Sequence, residues 1–184
     1  MKEKNKIKLF GTLQVMTVSA ALVAISIVCG KYLAINLGQA LRFSFENLPI
    51  ILAGIMFGPI VGAVVGGVSD LVGALLVYGG DMNPLVTVGA VSIGLISGLL
   101  WKCSKKLPYG VRLLLSVTCA HVIGSIILKS IGLSAWYLAN LNMPIYILML
   151  WRTLNYIIVG GAEFIILFFV LKNKTIRSKM LINQ

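Results

Sequence analysis

Residues 41–70 read LRFSFENLPIILAGIMFGPIVGAVVGGVSD. The stretch opens on polar and aromatic residues (Arg42, Phe43, Phe45, Glu46, Asn47), turns apolar, and ends on Asp70, a carboxylate set in hydrophobic sequence. Glycines fall at 54, 58, 62 and 66, every fourth residue. Glycines at that spacing share a helix face and let a neighbouring helix approach closely. Pro49 to Gly58 would make roughly 15 Å of helix, too short to cross a bilayer alone. Gly58-Pro59 marks a turn or a kink. Pro49 to Val77 is long for one span even with tilt, which favours two elements over a single kinked one.

The surrounding chain has the composition that such a stretch requires. Of 184 residues, 59% are hydrophobic and 11% charged, with a mean hydropathy of +0.98. Soluble domains carry about 25% charged residues, so a water-soluble fold is excluded. Lipid offers the backbone no partners, which leaves helices or a closed barrel. Continuous apolar runs without strict alternation select helices. The sequence therefore predicts an all-α integral membrane protein in one domain. It is a bundle of six transmembrane helices in the plasma membrane, with spans near 9–30, 48–58, 60–78, 84–101, 111–132 and 144–171. The basic start lacks a small-residue cleavage site and reads as part of a retained first helix.

The net charge of +11 raises nucleic acid as a partner, but the cations flank hydrophobic spans. In that position they set topology and meet anionic lipid heads, so no nucleic acid is expected. Six spans put Lys2, Lys4, Lys6, Lys8, Lys102, Lys105, Lys106, Arg112, Lys172, Lys174, Arg177 and Lys179 toward one side. Only Lys31, Arg42, Lys129 and Arg152 fall toward the other. The asymmetry places both termini in the cytoplasm and makes 31–47, 78–84 and 133–143 the outer connections. Within the first connection, Leu41, Phe43 and Phe45 alternate with Arg42 and Ser44, the pattern of a short extended piece.

The outer connections concentrate recognition chemistry: Arg42, Phe43, Phe45, Glu46 and Asn47; Tyr78, Asp81 and Asn83; Trp136, Tyr137, Asn140 and Asn142. Aromatic rings there also serve as interfacial belt residues. Polar residues at membrane depth are the sharper signal, because charge there is expensive and marks a site. His121, Ser125 and Lys129 form one stripe, Arg152 and Asn155 share a face beside Tyr156, and Asp70 lies near mid-depth. Together they suggest an outward-facing cavity with cations for carboxylates, an acid for N–H donors and rings for stacking. The competing explanation pairs Asp70 with an arginine or lysine for structural reasons alone. Glu163 is expected to pair with Arg112. Ala20 and Ala24 leave a shallow groove on the first helix, which by itself suits packing within the chain.

No GxxxxGK[ST] loop, HExxH or CxxC occurs, and there is a single histidine. Catalytic residues, metal ligands and a bound cofactor are not expected, and Cys29, Cys103 and Cys119 are too scattered for a disulfide framework. The chain reads as a binder that does not transform its ligand.

The first-helix small residues, the run RFSFENLPIILAGIMFGPIVGAVVGGVSDLVG and NPLVTVGAVSIGLISGLLW after it resemble the substrate-binding S components of energy-coupling factor (ECF) vitamin transporters, most nearly the folate-specific branch. The close part of the resemblance covers residues 41–101, with the rest similar mainly by pattern. It implies capture of folate or a related pterin vitamin at the outer face. The vitamin is then delivered by reorientation in complex with a transmembrane scaffold subunit and two cytoplasmic ATPases. It also implies that Ala20 and Ala24 dock the scaffold. Folate would suit the inferred cavity through Asp70 and Asn155 on the pterin edge. Phe45, Trp136 or Tyr137 would stack on the ring, and Arg42, Lys129 or Arg152 would hold the glutamate tail. Asn47, His121 and Asn140 complete the expected lining. The alternatives are an S component for another vitamin, a stand-alone secondary carrier and a membrane-embedded enzyme.

Overall fold

A computed structural model describes residues 13–37, 41–77, 83–141 and 144–173; at 31, 36, 37, 41, 42, 77, 135–137 and 139–141 it describes the backbone alone. The helices are α1 (Leu13–Lys31), α2 (Asn47–Phe57), α3 (Pro59–Val77), α4 (Pro84–Cys103), α5 (Tyr109–Ala120), α6 (Lys129–Leu141) and α7 (Ile145–Lys172). A π-helical segment, His121–Leu128, joins α5 to α6 without leaving helical backbone, so the described residues form six rods. Five of these are long and apolar enough to cross a bilayer, and α2 is the shorter sixth. Between α1 and α2, β1 (Ile35–Leu37) and β2 (Leu41–Phe43) pair antiparallel, with Ile35 opposite Phe43. This hairpin lies at one end of the bundle, where β2 meets α7.

Gly58 separates α2 from α3 with φ +98°, a conformation that glycine adopts without a Cβ penalty. Pro59 then starts α3, where its missing N–H costs nothing. The two helices fold back on one another: a Cβ at Gly62 would strike the backbone of Gly54, and one at Gly66 would crowd Ile50. The same glycine row also receives α4. A Cβ at Gly94 would collide with the Gly62 backbone, and one at Gly98 with Gly54 and Pro59. Three helices thus meet backbone to backbone. Ile51, Ile55, Val65 and Ile93 fill the remaining space, joined by Leu113, Val117, Leu167 and Leu171.

The outer surface is apolar while polar side chains lie inside. Ile157, Ile158, Ile165 and Phe169 of α7 are exposed, whereas Asn47, Ser125, Lys129 and Glu163 are buried. That distribution suits a bilayer as solvent, which wets isoleucine and rejects charge.

The structure differs from the sequence expectations at two places. The helix runs through Leu141, where hydropathy alone ends it near Gly132 and leaves 133–143 as a connection. Loss of hydrophobicity over SAWYLANL is not loss of helix propensity, because leucine and alanine support the helix there. The N-cap Asn83 also ties α4 to this rod. Its side chain accepts from the Leu85 N–H and donates to the Gly132 carbonyl.

The second difference concerns Glu163, which does not meet Arg112. The Arg112 guanidinium lies 3.9 Å over the Trp101 ring and donates from Nε (2.6 Å) and Nη2 to the Trp101 carbonyl. The short 104–108 link brings that helix C-terminus, with its unpaired carbonyls, against the start of α5. Glu163 turns toward His121 instead.

Candidate functional site: a polar chain at membrane depth

The rod from α5 to α6 supplies the spine of the site. Along it, His121, Ser125 and Lys129 follow one another on one side, all buried. Lys129 Nζ donates to Glu46 Oε1 at 2.9 Å and to Asn47 Oδ1 at 3.4 Å. Asn47 Nδ2 donates to Ser125 Oγ at 3.3 Å, and Ser125 Oγ lies 3.4 Å from His121 Nδ1. His121 Nε2 is 2.6 Å from Glu163 Oε2. The chain runs from Glu46 at the hairpin end to Glu163 deep on α7, where that side chain is fully buried. A charge at this depth is tolerated only with a partner, and here it is partnered by links along the whole chain.

Local sequence explains how these groups meet. Glu46 and Asn47 sit where the hairpin feeds α2, and the Glu46 carbonyl accepts from Ser26 Oγ of α1 (2.7 Å). The Glu46 N–H donates to Ser44 Oγ at 3.2 Å. Gly89 of α4 has no Cβ and leaves room for the Lys129 stem, whose Cγ would lie 2.7 Å from such an atom. Gly124 makes the reciprocal approach to the Gly89 carbonyl.

Two further groups face this chain. Tyr156 of α7 stacks on His121, with ring centroids 4.8 Å apart and 28° between planes. The Arg152 guanidinium stands 6.0 Å from the Tyr156 ring, and its buried Nε has no hydrogen-bond partner among the described residues. Asp70 Oδ2 accepts from Thr87 Oγ1 at 2.7 Å, bridging α3 to α4. Asp70 and Tyr156 are both close enough to act on the Lys129 charge.

Of the residues expected at the site, Asn47 and Lys129 are joined directly, His121 through Ser125, Arg152 through Tyr156, and Asp70 through its field. Asp70 takes a threonine hydroxyl as partner, so the alternative pairing with an arginine or lysine is not made among the described contacts. Asn155 is buried on α7 three residues beyond Arg152, and Phe45 is half-buried beside Glu46. The side chains of Arg42, Trp136, Tyr137 and Asn140 lie outside those described, as do residues Tyr78, Asp81 and Asn142 altogether. Ala20 and Ala24 are both exposed on α1.

Thr87 and Glu163 belong to the arrangement although they are not among the expected site residues, and Glu46, expected with the recognition residues of the first connection, is the partner of Lys129. That pairing has a signal in the sequence: Lys129 at membrane depth demands an acid, and the chain has only five.

A separate groove of about 280 Å³ runs between α5 and α7 beside His121 and Tyr156. Its walls are mostly apolar (Leu114, Val117, Val122, Ile157, Phe164), so it offers little to a polar ligand. The Glu46–Lys129–Asn47 end of the chain, with Arg152 and Asp70 nearby, offers fixed donors and acceptors of both charges. Such groups can ion-pair and hydrogen-bond a polar, partly anionic molecule.

Comparison with known proteins places this architecture. Residues 14–171 match the family described as ECF transporter, substrate-specific component. The chain is 29% identical over 119 residues to the folate transporter FolT of Clostridium novyi (strain NT), covering 65% of this chain and 67% of that one. It also superposes on a crystal structure of FolT bound with folic acid, with a TM-score of 0.70 and 28% identity. That match covers 87% of this chain and 93% of the other. The chain belongs to the substrate-specific components of ECF transporters, multi-pass membrane proteins that bind a substrate for transport and are not enzymes.

Proposed function

We propose that the protein is the folate-capturing S component of an ECF importer. The observation that carries the reading is the near full-length likeness to FolT bound with folic acid, at a sequence identity that extends beyond fold alone. The polar cluster supports it. Folate presents an amide-like pterin edge at one end and two carboxylates at the other. Asp70 and Asn155 suit the edge, as acceptor and as mixed donor and acceptor. Arg152, with its buried unpartnered Nε, suits a carboxylate, and Lys129 takes one by sharing with or exchanging Glu46. Phe45, Trp136 and Tyr137 are the rings for stacking, and Arg42 and Asn140 add a cation and an amide to the proposed set.

The positive-inside asymmetry supports an orientation with the hairpin end outside, so the site captures vitamin from the outer face. Exposed Ala20 and Ala24 on α1 then provide the close-approach surface for a scaffold subunit, which couples the protein to two cytoplasmic ATPases. A thermal-shift panel on the purified protein tests the substrate. Folate raises Tm, whereas pantothenate, riboflavin, thiamine and biotin at equal concentration do not. Stabilisation by one of the other four, with none by folate, rejects the folate reading and leaves the family intact.

A further inference from the structure

Glu163 lies beyond any contact that the proposed site requires, yet it is fully buried and ends the polar chain. A carboxylate only accepts, and with a neutral imidazole at 121 one sense follows for the links. Glu163 Oε2 takes the proton of His121 Nε2–H, which leaves His121 Nδ1 as an acceptor. Nδ1 takes the Ser125 hydroxyl proton, so the Ser125 oxygen is free to accept Asn47 Nδ2–H. The Asn47 amide is then locked with its oxygen toward the Lys129 ammonium.

We infer that Glu163 is a remote positioning residue for substrate binding: through His121 and Ser125 it orients Asn47 and thereby holds the Lys129 ammonium at the ligand end. Without an acceptor at 163, the imidazole is free to carry its proton on Nδ1 and donate it to Ser125. The hydroxyl then turns toward Asn47, the amide reverses, and its NH2 faces the Lys129 ammonium, donor against donor. The site loses its lysine geometry although no ligand-contacting residue has changed. The groups packed around the His121 ring are Glu163 and Tyr156 of α7 and Ser125 on its own rod. Arg152 stands behind Tyr156, and Lys129 and Asp70 lie further along. Within this set only Glu163 contacts Nε2. The π-helical segment that contains both His121 and Ser125 is a local departure of the kind found where a helix is adapted to a function.

The inference rests on the folate reading, and the experiment separates the two. Folate titrations are run on wild type, Glu163→Leu, Glu163→Gln, Ser125→Ala and the Glu163→Leu/Ser125→Ala double variant. Leucine removes the acceptor and keeps an apolar side chain of similar size at the buried position. Glu163→Leu weakens folate about tenfold, the scale of one buried hydrogen bond broken in a network. Glu163→Gln, whose carbonyl still accepts Nε2–H, stays within about threefold of wild type. Ser125→Ala already cuts the chain, so Glu163→Leu adds nothing in that background, whereas a purely structural role adds its full effect there. His121→Phe keeps a ring against Tyr156 and removes both nitrogens. It reproduces the tenfold loss and serves if Glu163→Leu does not fold. Wild-type affinity in Glu163→Leu or His121→Phe, or multiplying losses in the double variant, overturns the inference. Failure of wild type to bind folate overturns the functional reading instead.

Discussion

Lys129 is buried to 3% exposure yet stays satisfied, with Glu46 at 2.9 Å and the Asn47 oxygen at 3.4 Å. Removing the charge while keeping the stem, as in Lys129→Met, takes a fixed cation from the site and from Glu46. Folate affinity is expected to fall about 100-fold by titration calorimetry, as for other truncated buried charge pairs. Arg152 has a different signature. If its unpartnered Nε reads the glutamate tail, Arg152→Met weakens folate about tenfold or more and leaves pteroate, which lacks that tail, unaffected. Equal losses for both ligands would assign Arg152 elsewhere. At this scale the sequence exposes which residues matter more readily than whom they touch. His121, Ser125 and Lys129 at four-residue spacing announce one face, and the structure puts them on it. The partner of Glu163 is not legible. Which residue of the α5–α6 rod it meets depends on how α7 is rotated and how deep it sits, and a sequence interval across two helices carries neither.

At the scale of elements, the α2–α3–α4 contact is the part of the fold written most openly in the sequence. Four-residue glycine spacing in 54–66 and again at 94 and 98 requires backbones to meet, and Gly58-Pro59 supplies the reversal. Gly94→Val should therefore drive a branched side chain into the Gly62 backbone. It is expected to cost about 2–3 kcal/mol, read as a lowered Tm in detergent, while a change at Gly161, which meets nothing, leaves Tm unchanged. α1 makes a contrasting prediction. Leu13, Thr17, Ala20, Ala24 and Val28 form an exposed stripe whose middle is small. Ala24→Trp should block capture of the protein by a scaffold–ATPase complex in a pull-down and leave folate affinity of the isolated protein intact. Undiminished capture would move the docking surface off α1. What periodicity hides is the π segment and the continuation to Leu141. One register slip inside a helix leaves the apolar pattern almost unchanged, and polar aromatics compatible with helix look like a loop by hydropathy.

For the whole molecule, composition and charge define the class: an apolar shell, a polar interior and cations gathered at the ends of the spans. Sidedness follows from the same charges. Cys103 is exposed beside Lys102, Lys105 and Lys106, so with Cys29 and Cys119 replaced it reports the orientation. A membrane-impermeant maleimide should label it only after cells are permeabilised. Labelling of intact cells would invert the topology and point the hairpin end inward. The fold, the family and the buried chain from Glu46 to Glu163 meet in one claim, that this end of the bundle holds folate. Its most direct test is calorimetric titration of folate into the purified protein in lipid nanodiscs. Saturable one-to-one binding with Kd below about 1 µM, some 8 kcal/mol, is the predicted result. No saturable heat with folate, from protein that is folded and takes up a different vitamin, would contradict it.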